Sequence, residues 1–224
     1  MRGGRLTLAL LVLVLLAGCG GGAKSNGEAA KPSAQIFADA KRAATAAAAV
    51  HIYGAVIDHG THYSLDLRLV RHKGGAGHMS WQGFSFKLVR IGDKAYIYGP
   101  DPFYRKVAGA AAAQLFHGRW LEFSAAKGDL AVFARITDID KFFAAFKSEP
   151  GFVKGTQTAV RGQKVIAIRD KRGETMYVAT TGRPYPIEVV GPKSSPGKVD
   201  FDEWNKPMPL AAPKKAIDIS KLNG

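Results

Sequence analysis

Cysteine is nearly absent from this sequence, since Cys19 is the single one among 224 residues. One cysteine cannot form an intramolecular disulfide, a CxxC redox pair or a multi-cysteine zinc site. Long apolar runs are also missing: the run at residues 6–17 has about a dozen residues, whereas a membrane-spanning helix needs ~20. With 46% hydrophobic and 22% charged residues, the composition excludes a disordered chain and a multi-span membrane protein. The length fits one ordinary domain.

The amino terminus has the three parts of a secretory signal peptide. Two arginines precede the apolar run, and small residues follow it up to Cys19. The tetrapeptide LAGC that ends at Cys19 closely resembles the lipobox of bacterial lipoproteins, in which the cysteine thiol receives diacylglycerol and becomes the first mature residue. We therefore predict a signal peptide over residues 1–18, lipidation at Cys19, and anchoring to the outer face of the cytoplasmic membrane. An ordinary signal peptide with a chance cysteine is the alternative.

Acidic residues are scarce, with 18 Asp and Glu against 32 Lys and Arg, so the formal net charge is +14. For an exported protein this excess favours an anionic membrane surface as partner, at ~1 kcal/mol per well-placed base, and excludes nucleic acid. The bases could equally serve only to keep the surface soluble. Residues 20–32 are small, polar and without a hydrophobic pattern. We predict that residues 19–32 form a flexible stalk before a domain at residues 33–224.

The first half of this domain predicts one helix followed by antiparallel strands. Residues 34–50 are rich in alanine, carry apolar residues at helical spacing and follow Ser33, a candidate N-cap. Beyond them the apolar residues alternate with polar ones, which is typical of strands with one buried face. The glycine-rich segment 73–77 is predicted to be a hairpin loop without a phosphate-binding role. The strands of this meander are predicted over residues 62–69, 79–91 and 94–98.

The second half predicts two helices and then a further set of strands. Residues 108–117 form an alanine-rich helical segment, and residues 138–147 carry phenylalanines on one helical stripe. Glycine and proline turns separate the segments that follow. Because strands and helices come in blocks without βαβ alternation, the fold class is predicted to be α+β. The later strands are predicted over residues 152–160, 164–169, 174–180, 186–190 and 198–204.

The order of these segments resembles a known group of proteins. A lipobox, a polar stalk, an alanine-rich helix running into a strand meander, Trp120 after a short helix and a closing meander are similar to the LppX and LprG branch of mycobacterial and actinobacterial lipoproteins. That branch is similar in fold to the LolA and LolB lipoprotein carriers. The likeness covers about residues 33–224. The short sequence motifs that match best are GQKV at 162–165, MYV at 176–178, RPYPI at 183–187, VDFDEW at 199–204 and the terminal ID at 217–218.

The resemblance implies a strongly curved antiparallel sheet, a half-barrel, whose concave face is covered by helices around a hydrophobic cavity for acyl chains. The residue pattern alone does not show a cavity, since it fits a solid core equally well. An empty apolar hole of ~300 Å³ would cost about 7 kcal/mol, comparable to a domain's whole stability. A cavity is therefore expected to be lipid-filled or collapsible. Its candidate lining residues, each with packed core as the alternative, are Leu65, Leu67, Phe84, Phe86, Tyr96, Tyr98, Phe133, Phe142 and Phe146.

Two classes of function remain open. The first is a carrier that binds membrane lipids or glycolipids through their acyl chains and exchanges them with a transporter or acceptor protein. The second is an envelope protein-binding or sensing module with a packed core. A connected apolar pocket favours the first, and a filled core with an exposed apolar patch favours the second. Candidate bases for the mouth of a pocket are Lys87, Arg90, Arg105, Lys106 and Arg119.

Catalytic and metal-binding patterns are weak, so we predict no enzyme, no cofactor and no metal. His59 and His62 lie near Asp58 in a predicted turn, but two ligands do not make a site. Residues 83–87 lack the closing glycine of a hydrolase nucleophile elbow. The other histidines are predicted at helix ends and in loops; they are His51, His72, His78 and His117. The acidic residues of the last long strand fit a solvated face better than an acid–base pair; they are Asp200, Asp202 and Glu203.

Overall fold

The computed structural model describes residues 24–147 and 151–222. The predicted signal peptide and Cys19 lie outside the described residues. The helices are α1 (Ser33–Thr45), α2 (Asp101–Ala108), α3 (Ala110–Phe116), α4 (Ala131–Arg135) and α5 (Ile139–Ala144), with 3-10 turns at Glu28–Ala30 and Ile219–Lys221. The strands are β1 (Ala49–Asp58), β2 (Thr61–Val70), β3 (Gly74–Trp81), β4 (Phe84–Ile91), β5 (Lys94–Tyr98), β6 (Leu121–Ser124), β7 (Val153–Val160), β8 (Gln163–Arg169), β9 (Thr175–Ala179), β10 (Pro186–Val190), β11 (Gly197–Asp202) and β12 (Ile217–Asp218).

The strands form a single sheet in the order β12-β6-β5-β4-β3-β2-β1-β11-β10-β9-β8-β7. Neighbouring strands are antiparallel except β12 and β6, which pair in parallel. Two meanders, β1 to β6 and β7 to β11, therefore meet where β1 pairs with β11. The sheet is open and strongly curved. This confirms the predicted α+β class with a curved antiparallel sheet.

The register places alternate apolar residues of successive strands on one inner face. Ile52 of β1 lies opposite Leu67 of β2 and Phe201 of β11, and all three side chains are fully buried. Helices α1, α2, α4 and α5 supply the other layer of this core, for example through Ile36 and Phe143. The period-two pattern of the sequence thus corresponds to a sheet with one face covered by helices.

The glycine-rich segment 73–77 is not a loop, which corrects the prediction. Residues 74–77 begin β3, and the turn precedes them. A Cβ at Gly74, where φ is 128°, would lie 2.1 Å from the carbonyl oxygen of Arg90, and a Cβ at Gly77 would lie 2.0 Å from that of Asp66. Glycine is required here because the backbones of adjacent strands approach closely where the sheet bends.

The helix predicted over residues 34–50 is shorter, because β1 already begins at Ala49 and pairs along its whole length with β2. Ser33 is the first residue of α1, after Pro32 at the N-cap. The Ser33 hydroxyl does not cap the helix but donates to the carbonyl oxygen of Phe152 at 2.8 Å. The helix predicted over residues 138–147 is likewise reduced to α5, whose N-cap Asp138 accepts a hydrogen bond from the backbone of Lys141.

Residues 24–32, predicted as part of a flexible stalk, pack on the domain instead. The Asn26 side chain donates to the carbonyl oxygens of Ala179 and Gly182 at 3.0 and 3.1 Å. Glu28 is only 2% exposed and is paired with Lys31. The sheet therefore fixes this segment, so the folded domain begins before residue 33. Within the part of the chain that the structure describes, no helix is both long and apolar enough to cross a bilayer.

Candidate functional site

An apolar pocket of about 510 Å³ lies between α2, α3, β6, the segment before α4 and the last 3-10 turn. We call it the α2–α3 pocket. Most of its lining residues are aliphatic or aromatic, and the charged residues Lys127 and Asp129 also border it. The volume falls in the range of ~300–1,000 Å³ that is typical of small-molecule sites. Its lining includes Phe103, Val107, Ala108, Leu115, Leu130 and Leu222.

The local sequence explains how the two helices form a wall. Pro102 lies in the first turn of α2, where its fixed φ and missing N–H are tolerated. Gly109 then adopts φ 89° and ends α2, so that α3 can begin at Ala110 in a new direction. Phe103 and Val107 are one helical turn apart on the side of α2 that faces the pocket.

A buried tyrosine holds this wall against the sheet. Tyr104 is fully buried, and its hydroxyl accepts a hydrogen bond from the backbone N–H of Gly99 at 2.9 Å and donates to the carbonyl oxygen of Arg119 at 3.0 Å. Burial raises the pKa of the Tyr104 hydroxyl, because the phenolate would be desolvated there. The hydroxyl is therefore neutral at physiological pH and acts as a structural link between α2, the end of β5 and the segment before β6.

The back of the α2–α3 pocket is closed by packed aromatic rings. Phe103 is stacked on Phe86 with ring centroids 4.8 Å apart, and Phe86 meets the edge of Phe133 at 5.1 Å. Trp81 in turn packs against Phe133 at 6.0 Å. Phe103 thus separates the open pocket from an aromatic layer that fills the inner face of β3 and β4.

The mouth of the pocket is open to solvent. Leu115 and Leu222 both line it and are 55% and 48% exposed. Lys127 and Asp129 at the rim are exposed as well. Water can enter, so the large penalty of a sealed empty hole does not apply to this pocket.

Two of the nine residues predicted to line a cavity lie directly behind the α2–α3 pocket, namely Phe86 and Phe133. Leu67 is fully buried on the inner face of β2, while Leu65 and Phe84 are half-buried at the margin of the same core. None of these five residues borders the α2–α3 pocket itself. The strand register agrees with the prediction that the strand residues among them point to the inner face of the sheet. They pack there against other side chains, which occupy the space that they face.

A second ring cluster contains two more of the predicted residues. Phe142 and Phe146 are half-buried and pack against Phe143 and Phe201 with ring centroids 5.2–6.3 Å apart. Trp204 closes this cluster, 5.9 Å from Phe143. The phenylalanine stripe of α5 is therefore engaged in a packed contact with the sheet.

The last two predicted residues, Tyr96 and Tyr98, lie on the opposite face of the sheet, which corrects their expected place. Ile97 of β5 is opposite Leu88 of β4 and points inward, so the residues on either side of Ile97 point outward. Tyr98 contacts Lys87, whose ammonium lies 5.9 Å from the ring centre. Every residue of β5 apart from Lys94 is apolar. The sequence pattern therefore did not show which alternate residues face inward.

The structure separates the bases that were candidates for a pocket mouth. Arg90 pairs with Asp138 at 2.9 Å and thereby joins β4 to α5. Although burial acts to raise it, the pKa of Asp138 is lowered by the hydrogen bond from Arg90 and the backbone N–H of Lys141. Arg105 and Lys106 are exposed on the outward side of α2. Arg119 is also exposed, and its carbonyl oxygen is the one that Tyr104 binds.

The outer face carries a charged network that the sequence analysis missed. His51 lies in β1, not at a helix end or in a loop, and its ring nitrogens lie 2.8 and 2.9 Å from carboxylate oxygens of Asp202 and Asp66. Ligand atoms of His51, Asp202 and Glu203 lie within 4.8 Å of one another. Arg68 already binds Glu203 at 3.0 Å, so this arrangement is a cross-strand ion-pair network. Its signal in the sequence was the alternation of charged residues along β2 and β11, the two strands that pair with β1.

Comparison with solved structures identifies the fold. LprF from Mycobacterium bovis is similar with a TM-score of 0.55 and 14% identity, over 86% of this chain and 99% of that protein. LppX from Mycobacterium tuberculosis has a TM-score of 0.48 and 12% identity over 80% of this chain and 98% of its own. A LolA superfamily protein from Nitrosomonas europaea has a TM-score of 0.30 and 7% identity, over 80% of this chain and 96% of that protein.

No protein-family model matches the sequence, and no curated protein matches it. The chain shares the fold of LprF, and the predicted LppX- and LprG-type architecture is confirmed at the level of the fold. Identities this low assign neither a ligand nor a residue role.

Proposed function

We propose that this protein is an exported lipoprotein, anchored through lipidated Cys19 to the outer face of the cytoplasmic membrane, that binds an acyl chain of a lipid or glycolipid in the α2–α3 pocket. The observation that carries the proposal is an open apolar pocket of about 510 Å³ whose mouth exposes Leu115 and Leu222. Bound there, an acyl chain is shielded from water while its polar head remains outside. The protein then carries or shields the lipid within the envelope.

The energetics favour an alkyl chain as occupant. Each methylene moved from water into an apolar site gains ~0.8 kcal/mol, and the exposed leucines at the mouth become covered when a chain enters. Water beside the wall formed by Phe103, Val107 and Leu115 finds few hydrogen-bond partners, because this part of the lining is apolar. Displacing this water adds to the driving force.

The cavity-lining residues predicted from the sequence enter the proposal as a deeper extension of the site. Phe103 lies between the α2–α3 pocket and the rings of Phe86 and Phe133. A change of the Phe103 rotamer would join the pocket to this aromatic layer, so a longer chain would then contact Phe86 and Phe133. Leu65, Leu67 and Phe84 lie further along the same inner face.

Extraction of the protein from its native host, followed by mass identification of co-purifying molecules, tests the ligand class. We expect lipids or glycolipids with alkyl chains at a defined stoichiometry in native mass spectrometry. Ala108→Trp, in the lining at the end of α2, should strongly reduce retention. Ala111→Trp is the matched control, because Ala111 is also exposed and helical but does not line the pocket. A monodisperse protein that never retains added lipid would rule the proposal out.

The anchor has its own test. Cys19→Ala should release the protein from the membrane fraction, because a diacylglycerol tether would no longer form. Retention of the variant in membranes after a high-salt wash would show that another feature holds it there.

A protein-binding or sensing role is the second candidate, and the packed ring cluster around Phe143 and Phe201 favours it. This cluster fills the inner face beneath α5, where a wide central cavity was expected. If neither the native extract nor added lipid shows occupancy of the α2–α3 pocket, its exposed apolar mouth would be assigned to a protein partner.

A further inference from the structure

Exposed apolar side chains gather at one place on the surface. Among the residues that the structure describes, the strongly exposed large hydrophobic side chains are Leu115, Val132, Val153 and Leu222. Leu115 and Leu222 lie at the mouth of the α2–α3 pocket, and Val132 follows the lining residue Leu130 by two positions in α4. Val153 lies on β7, at the opposite edge of the sheet from β6. Two of the four therefore lie at the mouth of the pocket, and a third, Val132, lies on α4, the helix that begins directly after the lining residue Leu130.

Basic side chains lie at the rim of the pocket and on the neighbouring helices α2 and α4. Lys127 belongs to the pocket lining, Arg105 and Lys106 lie on the outward side of α2, and Arg135 lies on the exposed side of α4. None of the four forms an ion pair with a residue in the described ranges 24–147 and 151–222. Bases on the outer face of the sheet behave differently, since Arg68, for example, is paired with a carboxylate at 3.0 Å.

We propose that this region, which we call the mouth surface, docks on an anionic lipid bilayer. The inference rests on the proposed function, because docking there would present the α2–α3 pocket to the acyl chains of the membrane. Its residues are Leu115, Val132 and Leu222 together with Arg105, Lys106, Lys127 and Arg135.

The combination of side chains selects the partner. Exposed aliphatic residues insert at the boundary between headgroups and acyl chains, and unpaired bases attract the phosphates of anionic lipids. A carboxylate, Asp129, also lies in the lining, but the bases outnumber it. Exposed leucines at the mouth, next to helices α2 and α4 that carry unpaired bases, are complementary to a bilayer surface of negative charge.

Vesicle flotation with the processed chain, residues 19–224 carrying Cys19→Ala, tests the proposal without the lipid tether. We expect binding to vesicles of phosphatidylcholine mixed with phosphatidylglycerol, weakening as salt rises, and much weaker binding to phosphatidylcholine alone. Val132→Asp should weaken binding by roughly tenfold. Val153→Asp is the matched control, a valine at the far edge of the sheet that is 66% exposed against 56% for Val132, and should change the affinity by less than about twofold.

Two double charge reversals distinguish the effect of bases in the mouth surface from the effect of the protein's net charge. Arg105→Glu with Lys106→Glu should weaken binding to anionic vesicles by roughly 30-fold, at about fivefold for each lost base. Arg183→Glu with Lys193→Glu makes the same change in net charge in turns of the other half of the sheet. This control should have less than a third of that effect.

Several results would overturn the docking surface. One is an equal loss of vesicle affinity in Val132→Asp and in its control Val153→Asp. Another is an equal loss in the two double charge reversals. A third is failure of the unaltered chain to bind anionic vesicles. Binding of a soluble fluorescent fatty acid, measured without vesicles, reports on the pocket alone. Val132→Asp should leave this binding unchanged, so failure of the docking surface is distinguishable from failure of the proposed function. Ala108→Trp should weaken binding of a long-chain fatty acid and still dock on vesicles. A chain that docks but never binds the fatty acid would retain the docking surface and remove the carrier role.

Discussion

The dependence of affinity on alkyl chain length is the most direct consequence of the α2–α3 pocket. The perturbation is in the ligand: a series of saturated fatty acids is offered to the delipidated protein. While the chain lengthens inside the pocket, each methylene contributes ~0.8 kcal/mol, so the dissociation constant should fall by about fourfold per methylene. Once the volume of about 510 Å³ is filled, further methylenes remain in water and the affinity should reach a plateau.

A substitution in the wall should move the plateau. Ala108 is exposed at the end of α2 and lines the pocket, so an indole placed there can lie over the mouth without disturbing the core. If it displaces about three methylenes, the loss is ~2.4 kcal/mol, or about 60-fold for a long chain. Ala111→Trp adds the same side chain outside the pocket and should leave the series unchanged.

Competition against a fluorescent fatty acid, read at equilibrium, provides the dissociation constants for the series. An affinity that does not change with chain length would refute the reasoning, because an apolar pocket must respond to each buried methylene. The same conclusion would follow if Ala108→Trp and Ala111→Trp gave superimposable series. Both variants should unfold in one transition close to that of the parent chain, which verifies that the domain is intact.

Three further predictions concern the framework of the site and are measured by chemical unfolding. Gly74→Ala should destabilise the protein by about 3 kcal/mol, because its Cβ would meet the Arg90 carbonyl, whereas Gly83→Ala, in a turn with open space, should cost only about 1 kcal/mol. Asp138→Asn keeps the cap of α5 but removes the charge facing Arg90, so we expect a loss of about 2 kcal/mol at neutral pH. Because the pKa of Asp138 is lowered in the folded protein, this difference should be full above about pH 4 and shrink as the pH falls through the native pKa. Tyr104→Phe should cost about 1–3 kcal/mol, because a buried backbone N–H loses its acceptor; an unchanged midpoint would contradict this role.

The strands were the part of the fold most readily predicted. Residues 94–98 and 186–190 were predicted with the bounds that the structure shows, because glycine and proline turns limit them on both sides. The alternation of Leu65 and Leu67 also assigned the inner face of β2 correctly. Local pattern sufficed here, since a side chain's face follows from its position in a strand.

Other features could not be predicted from local pattern. The glycines of residues 74–77 were expected in a loop, since composition does not show that a neighbouring strand passes within contact distance. His51 and Asp202 are far apart in the chain, and only the pairing of β1 with β11 brings them together. The short helices α2 and α4 have too few residues for a periodic pattern to identify their bounds.

By itself the sequence determined the fold class, the two meanders, the inner faces of the long strands and the lipobox-like signal at Cys19. These features follow from nearest neighbours in the chain and from the periods of helix and strand. Only the tertiary structure decided where free space remains, because packing depends on residues that the fold brings together from distant segments. The rings of Phe86, Phe103 and Phe133 filled the predicted centre, whereas α2, α3 and the last 3-10 turn left an open pocket at the end of the sheet near β6.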